Sequence, residues 1–532
     1  MWRIGWRDRI WSSLDQYFDL IIIGGGITGA GIFSEAARRG YKTLLVEAKD
    51  FSSGTSSRSS KLVHGGFRYL RNGQIKITFD SVRERERLLR EEKGLINELG
   101  FIIARYKGDR LPMWALGLGL TFYDLIAFRW GHKYYPSEKI LDLCPNLNPN
   151  DLHGGYRYFD ALTDDARLVL KTIKSGVANG GLALNYSRVE KILRTKDSQA
   201  AGVIIKDMKS SSNPRTCEVK GKAVINASGV WAEEVNSLDP GPTLRGLKLR
   251  RLRGSHLVFP FEKLPLTRAI SIWHPIDRRP VFAFPWEGVT VVGTTDVDSK
   301  SRPESDPRIS EDEFEYLLDF VKFSFPGLDL THLDVQSTFS GLRAVVDTGK
   351  SDPSKESREH ILNYDKGLLT VAGGKLTTFQ LMANQALDIL GKNNPRFPSM
   401  NKNLPKVEAP GIKLFVKTPI DTRQGVRLIG RYGNEVESMI REIDFEEFNP
   451  VSTSINLWAE LRWAARAEGI IHLDDLLLRR VRLGNLLPDA GLSVMHQIKD
   501  IITEELGWSE KRWIAEFQQY TQLIRHSYSI KV

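Results

Sequence analysis

A chain of 532 residues is long enough for two or more domains with full cores, and at 41% hydrophobic and 26% charged it is neither disordered nor collagen-like. Two cysteines, Cys144 and Cys217, exclude a disulfide framework and stand at no metal-ligand spacing, so no metal is expected. The net charge of +10 suits an anionic partner such as a phosphorylated substrate, a nucleic acid or an anionic membrane surface, while no apolar run is long enough to predict a transmembrane helix.

Met1 to Tyr17 carries charge throughout, which argues against a signal peptide. Trp2, Trp6, Ile10, Leu14 and Tyr17 recur at helical spacing, with Arg3, Arg7 and Arg9 among them. Two readings stand side by side: a basic helix lying in a bilayer interface, or a helix packed on its own domain.

Leu20 to Ile23 then reads as a buried parallel strand that runs into Gly24, Gly26 and Gly29, at the spacing G-x-G-x-x-G, and a helix to about Arg39. The first glycine lets the chain turn, the second clears space for a pyrophosphate, and the third lets helix and strand pack closely. The helix N-terminus faces the phosphates with free N–H groups and a positive dipole end. A second apolar strand, Thr43 to Val46, ends at Glu47, placed to accept a hydrogen bond from a ribose hydroxyl. Strand, glycines, helix, strand and acid in order predict dinucleotide binding, with NAD and FAD both open at this point.

The serine-rich run from Phe51 leads to Lys61-Leu-Val-His64-Gly65-Gly66 and reads as a second cofactor segment. Ser81 to Leu99 is expected to be a charged surface helix, with Val82, Leu89 and Ile96 on its inner face. Leu111 to Trp130 is the most apolar stretch, either a buried helix or a membrane-facing surface, with burial favoured. Asp164 opens an amphipathic helix with acids in its first turn. Strands follow from Leu182 to Val224, and Ala223 to Trp231 repeats the strand-then-small-residue-turn logic of the opening motif. Short strands through Gly254-Ser-His256, Val281 to Phe284 and Val289 to Gly293 predict an antiparallel sheet. A helix near Glu311 to Phe323 precedes Ser340-Gly-Leu-Arg343, and Leu368 to Thr378 is again strand, glycine turn and helix, to about Leu390. Lys392 to Pro410 reads as a linker, and helical patterns run on to Tyr528.

Six motifs now stand in order: Ile23 to Gly31, Ser59 to Leu70, Asp164 to Leu168, Gly254 to His256, Gly293 to Asp296, and Gly373 to Thr377. Together they resemble the FAD-dependent, quinone-linked glycerol-3-phosphate dehydrogenases, with a weaker echo at Leu457 to Trp463 and Asp474 to Arg480. The resemblance implies an α/β fold: a discontinuous Rossmann-type FAD-binding domain, an antiparallel-sheet substrate cap and a C-terminal helical domain. The expected division is a basic, aromatic segment 1–17, an oxidoreductase core 18–400 and a helical domain 405–532. Within the core, parts about 18–80, 160–235 and 340–395 hold FAD and parts about 81–159 and 236–339 form the cap.

The implied reaction takes a hydride from C2 of sn-glycerol 3-phosphate to flavin N5, giving dihydroxyacetone phosphate, and passes the electrons to a membrane quinone. The implied location is the cytoplasm, peripherally associated with the membrane, and a homodimer is left open. Positions matching the family's substrate pocket are Arg68, Tyr69, His256, Arg343, Arg358 and Lys375; four of the six are cationic, which suits a phosphate ester. The expected catalytic residues are His256, as general base with His64 as second choice, and Arg343 and Lys375 as electrostatic stabilisers. The expected cofactor contacts are Gly24, Gly26 and Gly29 at the pyrophosphate, Glu47 at the ribose, and Thr55, Ser56 and Ser60 at phosphate or flavin. Lys61, Leu62 and His64 are expected along the ring, Val189 at adenine, and Ala227, Gly229 and Trp231 beside the cofactor. Lys375, Leu376 and Thr377 are expected at the flavin edge.

Two positions depart from the family pattern: Phe379-Gln380 replaces Tyr-Arg after the last glycine motif, and Glu35 replaces an aspartate in the first helix. The loss of Tyr-Arg bears on acceptor choice, rate or the exact substrate, and not on the phosphate-binding cations. The rival readings are a glycerol-3-phosphate oxidase using O₂, an amine oxidase, which would not need so many cations, and a catalytically altered, membrane-associated FAD protein. Nucleic acid is not an expected partner, because the basic residues form no recognised motif or aromatic platform.

Overall fold

The computed structural model describes residues 2–67, 74–109, 111–209, 214–241, 248–299, 306–347, 349, 356, 359–397 and 420–529. Two sheets organise them. The first has the order β17-β18-β10-β1-β2-β7, from His360–Asp365 (β17), Leu368–Gly373 (β18), Thr216–Asn226 (β10), Phe18–Ile23 (β1), Thr43–Val46 (β2) and Leu182–Leu184 (β7). Its pairings are parallel except β17 with β18. Ser187–Arg194 (β8) and Ala200–Asp207 (β9) extend it antiparallel from β10. A parallel sheet covered on both faces needs apolar side chains on both, and Leu20, Ile21 and Ile22 are all fully buried.

Against this sheet pack three helices, Ile27–Arg38 (α2), Asp165–Ala178 and Phe379–Asn393. Small residues let them approach: Gly176 faces the Phe33 ring and Gly31 faces Phe379. Asp164 caps the second of these helices by accepting from the Arg167 N–H at 3.2 Å.

The second sheet has the order β15-β11-β14-β13-β12-β4-β6-β3. Its strands are Val297–Asp298 (β15), Leu249–Pro260 (β11), Val289–Gly293 (β14), Pro280–Trp286 (β13), Ala269–Trp273 (β12), Ile96–Tyr106 (β4), Leu152–Thr163 (β6) and Leu62–Val63 (β3). Ser337–Val346 (β16) pairs with β11 and Lys133–Tyr135 (β5) with β6. The sheet is antiparallel, as the sequence predicts, apart from the parallel pair β4–β12. Period-two alternation splits its core: Phe101 and Ile103 face one cluster, shared with C-terminal helices, while Ile102 and Ala104 face another, with the helix Glu311–Ser324.

Two expectations change, and an open choice at the N-terminus closes. The charged helix is Ile75–Glu91, not Ser81 to Leu99. Gly94, at φ +83°, reverses the chain against the Val426 carbonyl, and Ile96 already begins β4. The stretch from Leu111 is not buried as a whole. Its helix, Met113–Ala127, turns Leu116, Leu120 and Tyr123 inward, but Trp114 is 69% and Phe128 85% exposed, with Leu118, Leu125 and Trp130 also exposed. No helix among the described residues is long and apolar enough to cross a membrane. At the N-terminus, Trp2, Trp6 and Trp11 are buried, which selects the packed reading over the interfacial one. Trp2 stacks on Phe51 with ring centroids 5.1 Å apart, and Arg7 meets Asp207 at 2.6 Å and the Asn185 carbonyl at 2.5 Å.

Most of the expected linker, Lys392 to Pro410, falls within residues 398–419, which lie outside the described residues; Lys392 and Asn393 belong to the helix before it. Beyond it come helices at Thr422–Tyr432, Glu435–Glu442, Trp458–Ala467, Met495–Leu506 and Glu510–Leu523. They dock through buried ion pairs. Asp50 receives Arg479 and Arg480 at 2.6 Å each, Arg482 meets Asp165, and Arg167 meets Glu468 at 2.6 Å. Removing one partner from such a pair leaves an uncompensated charge and costs about 3–5 kcal/mol, so these contacts specify how the helices dock.

Candidate active site

A cavity of about 890 Å³ runs from the carboxyl ends of β1, β2, β10 and β18 to the inner face of the second sheet. That is the upper part of the range for cofactor and small-molecule sites, about 300–1,000 Å³. Its position follows the rule that open α/β sheets bind ligands beyond the carboxyl ends of their strands.

At one end the wall is Gly24, Gly26, Ile27 and Thr28, with Glu47 and Val189 further along. Gly24 has φ +111°, and a Cβ there would lie 2.6 Å from the Ala227 carbonyl oxygen. The N-cap of α2 is Gly26, which has no side chain of its own to cap the helix, and the helix N-terminus borders the cavity. Gly29 is not on the wall: a Cβ there would collide with the Gly24 carbonyl. Its role is therefore the close approach of helix to strand and not contact with a pyrophosphate. The residues present fit a dinucleotide: a glycine turn with no room for a Cβ at Gly24, a helix N-terminus bordering the cavity, and an acid just past the next strand. Glu47 accepts from the Gly25 N–H at 2.7 Å and the Lys49 N–H at 2.8 Å, and burial pushes its pKa up. Ser56 Oγ accepts from the Ile27 N–H at 2.9 Å, and Thr55 Oγ1 donates to the Leu342 carbonyl, tying the serine-rich segment to α2 and β16. Ala227, Gly229 and Trp231 line the same side.

The far end brings together Ser60, Leu62, His64, Arg343, Lys375, Leu376 and Thr377. Arg343 donates to Asp296 Oδ1 at 2.9 Å, Thr294 Oγ1 at 2.9 Å and the Thr295 carbonyl at 3.2 Å. Lys375 Nζ donates to Ser81 Oγ at 2.9 Å, and Thr377 Oγ1 to the His64 carbonyl at 3.3 Å. Arg68, Tyr69 and Arg358 lie outside the described residues.

Two expected wall residues stand behind it. Lys61, at φ +58°, turns away from the cavity; its Nζ meets Asp165 at 2.9 Å and the Ser57 carbonyl at 2.6 Å. Burial and then Arg482 push its pKa down to about 7. His256 is fully buried; its Nε2 is 2.9 Å from Ser60 Oγ, and its ring stacks on Phe339. Its Nδ1 has no hydrogen-bond partner among the described residues. Burial, then Arg343 and Lys61, hold its pKa well below the usual range. His64, the second choice, is the histidine on the wall.

Sequence reasoning missed Arg279, Trp273, Tyr158 and Asp296, all on the wall. Asp296 had a signal, as the last residue of the Gly293 motif. Arg279, beside Asp277 and Arg278, reads as part of a solvated turn. The two departures are not on the wall. Phe379 packs on Gly31, and Gln380 Nε2 donates to Glu35 Oε2 at 3.0 Å.

Comparison with known proteins places this geometry. The family model described as FAD dependent oxidoreductase matches residues 19–380, and the one described as C-terminal domain of alpha-glycerophosphate oxidase matches 401–513. The chain is similar to an aerobic glycerol-3-phosphate dehydrogenase of Staphylococcus haemolyticus, 31% identical with 97% of this chain and 94% of the relative covered. One of Staphylococcus aureus is 32% identical, covering 98% and 96%. Among solved structures, the glycerol-3-phosphate dehydrogenase of Bacillus halodurans complexed with FAD has a TM-score of 0.77 at 28% identity, covering 98% of each chain. An L-alpha-glycerophosphate oxidase from Mycoplasma pneumoniae shares the fold alone, with a TM-score of 0.57 at 18% identity, covering 74% of this chain and 100% of the other.

Proposed function

The chain belongs to the FAD-dependent glycerol-3-phosphate dehydrogenase family, with FAD as its cofactor, and from that premise we propose that it oxidises sn-glycerol 3-phosphate to dihydroxyacetone phosphate. The observation that carries this reading is the far end of the cavity, where Arg343 and Lys375 share a wall with the cofactor-type turns at Gly26 and Gly374. A phosphate ester brings nearly two negative charges, and guanidinium and ammonium donors are the groups that hold it by charge-assisted hydrogen bonds. Bound FAD supplies the hydride acceptor for C2. The protein must take the hydroxyl proton. His64, on the wall, is placed for that role; His256 acts one layer back, fixing the Ser60 hydroxyl. Arg343, held by three protein acceptors, keeps its charge in place as negative charge builds on the C2 oxygen.

The electrons leave, in this reading, to a membrane quinone. The helix Met113–Ala127 supports it. Trp114, Leu118 and Leu125 form an exposed apolar face, while Leu116 of the same helix lines the cavity. An exposed apolar face of this kind is the sort of surface that contacts a membrane or a partner. That would bring a lipid-soluble acceptor to the cavity without a spanning helix, and make the protein peripheral to the membrane.

The test is the visible spectrum of the purified protein, kept anaerobic, before and after glycerol 3-phosphate. Bleaching of the flavin bands, absent with glycerol or an amino acid, is expected. Reoxidation by a quinone analogue faster than by air separates a dehydrogenase from an oxidase. A yellow protein that does not bleach would overturn the substrate assignment.

A further inference from the structure

Arg279 ends the hairpin turn between β12 and β13, and its side chain stands on the cavity wall beside Asp296. The turn is rigid. The His274 N–H donates to the Arg279 carbonyl at 2.8 Å, and the Arg279 N–H to Asp277 Oδ1 at 3.0 Å. The His274 ring lies flat on Tyr316, centroids 3.8 Å apart, and its Nε2 meets the Tyr316 carbonyl at 2.8 Å, fixing the hairpin to the helix Glu311–Ser324.

One acid on this wall meets two arginines. The Asp296 carboxylate, 2% exposed, receives Arg343 on Oδ1 at 2.9 Å and faces Arg279 from Oδ2 at 3.7 Å. Two guanidiniums thus share one carboxylate. The first is committed, with two further acceptors at Thr294 and Thr295. The second sits beyond hydrogen-bond distance from Asp296, and among the described residues that carboxylate is the one acid it meets. Arginine carries five donors in a planar fork that matches phosphate oxygens. A fork on a hydrogen-bonded hairpin, facing a cavity, whose one acid among the described residues is shared with another arginine, is suited to receive an anion from solution.

We propose that Arg279 is a specificity-determining substrate ligand that contacts the phosphate and sets the preference for phosphorylated over neutral polyols. This rests on the function proposed above. Asp296 tethers both guanidiniums to this wall, Arg343 at 2.9 Å and Arg279 at 3.7 Å.

The experiment compares Arg279→Met and Arg279→Lys with the wild-type holoenzyme, after FAD content and melting temperature show both variants folded. The measurements are kcat and KM for glycerol 3-phosphate, and inhibition by inorganic phosphate. Loss of a charge-assisted contact predicts that in Arg279→Met KM and the phosphate inhibition constant rise together, about tenfold to a hundredfold, and more than kcat falls. Arg279→Lys should recover part of both. A KM and an inhibition constant within about twofold of wild type would overturn the proposal, as would a fall in kcat alone, which marks a structural part. If wild-type flavin is not bleached by glycerol 3-phosphate, the function reading has failed by itself. Inorganic phosphate titrated against the flavin bands then decides: a perturbation lost in Arg279→Met supports the anion site, and one retained overturns it.

Discussion

Ser60 Oγ lies 2.9 Å from His256 Nε2, and the imidazole on the far side of that contact is fully buried, stacked on Phe339 with centroids 4.5 Å apart. The hydroxyl reaches the cavity and the ring does not. A histidine so placed fixes the direction of a hydroxyl more readily than it exchanges protons with a substrate.

The electrostatics give this arrangement a pH signature. Burial, then Arg343 and Lys61, hold the His256 pKa well below 6.5, so the folded protein keeps the ring neutral where the unfolded chain binds a proton. Stability is therefore present above the unfolded pKa of about 6.5 and lost as pH falls below it. The melting-temperature advantage of wild type over His256→Gln should shrink between about pH 7.5 and about pH 5. An acid limb in the pH profile of kcat/KM should survive that substitution. If the limb vanishes in His256→Gln, His256 exchanges the proton itself.

Two glycines on helices test the packing argument in opposite directions. A Cβ at Gly29 runs into the Gly24 carbonyl, which belongs to the turn that cradles the cofactor. Gly29→Ala should cost about 1–3 kcal/mol and reduce the flavin bound per protein. Gly391, in the helix Phe379–Asn393, has no atom within 4 Å of its added Cβ. Gly391→Ala should raise stability by about 0.5–1 kcal/mol. Thermal melts and the flavin absorbance ratio read both; equal effects would remove the distinction.

How much was legible beforehand follows from what each signal encodes. Gly24 to Glu47 was readable because backbone clearance and a following acid are local demands, met within one β-α-β unit. The opening of the helix at Asp164 was likewise local. Lys61 was misplaced because its partners, Asp165 and Arg482, come from distant segments, and the serine run beside it says nothing of which way it turns. The first tryptophans were ambiguous for the same reason: Arg7 looks like a membrane-facing cation until Asp207, in another strand, is beside it. Composition alone made Leu111 to Trp130 look like core, since an exposed apolar face and a buried face use the same residues. Arg279 carried no pattern at all; only the hairpin brings it to Asp296.

The two aromatic segments should now part company on vesicles. Exposed Trp114, Leu118 and Leu125 share one helix, whereas Trp2, Trp6 and Trp11 are buried against the chain itself. Trp114→Ser combined with Leu118→Ser and Leu125→Ser should abolish flotation with anionic liposomes and leave the melting temperature near wild type, because little core is lost. Trp2→Ala removes a ring stacked on Phe51 and should lower stability by about 3–5 kcal/mol, leaving flotation of the folded fraction intact. The reverse pattern would return membrane contact to the N-terminus.

The departures at Phe379 and Gln380 make the last case. On sequence grounds they bear on acceptor and rate, since they follow Lys375 by about one helical turn. The structure turns both towards α2. Phe379 is buried against Gly31, and Gln380 reaches Glu35, whose carboxylate Arg38 holds at 2.8 Å and Arg39 at 2.7 Å. Those two arginines already keep the Glu35 pKa low against its burial. A third guanidinium would find no charge left to neutralise. Phe379→Tyr with Gln380→Arg should therefore leave kcat and the ratio of quinone to O₂ turnover within about twofold of wild type, with stability unchanged or lowered by up to about 1 kcal/mol. A changed acceptor ratio would show that the back of α2 reaches the cofactor through the helix, and would make the Gln380–Glu35 contact part of the machinery.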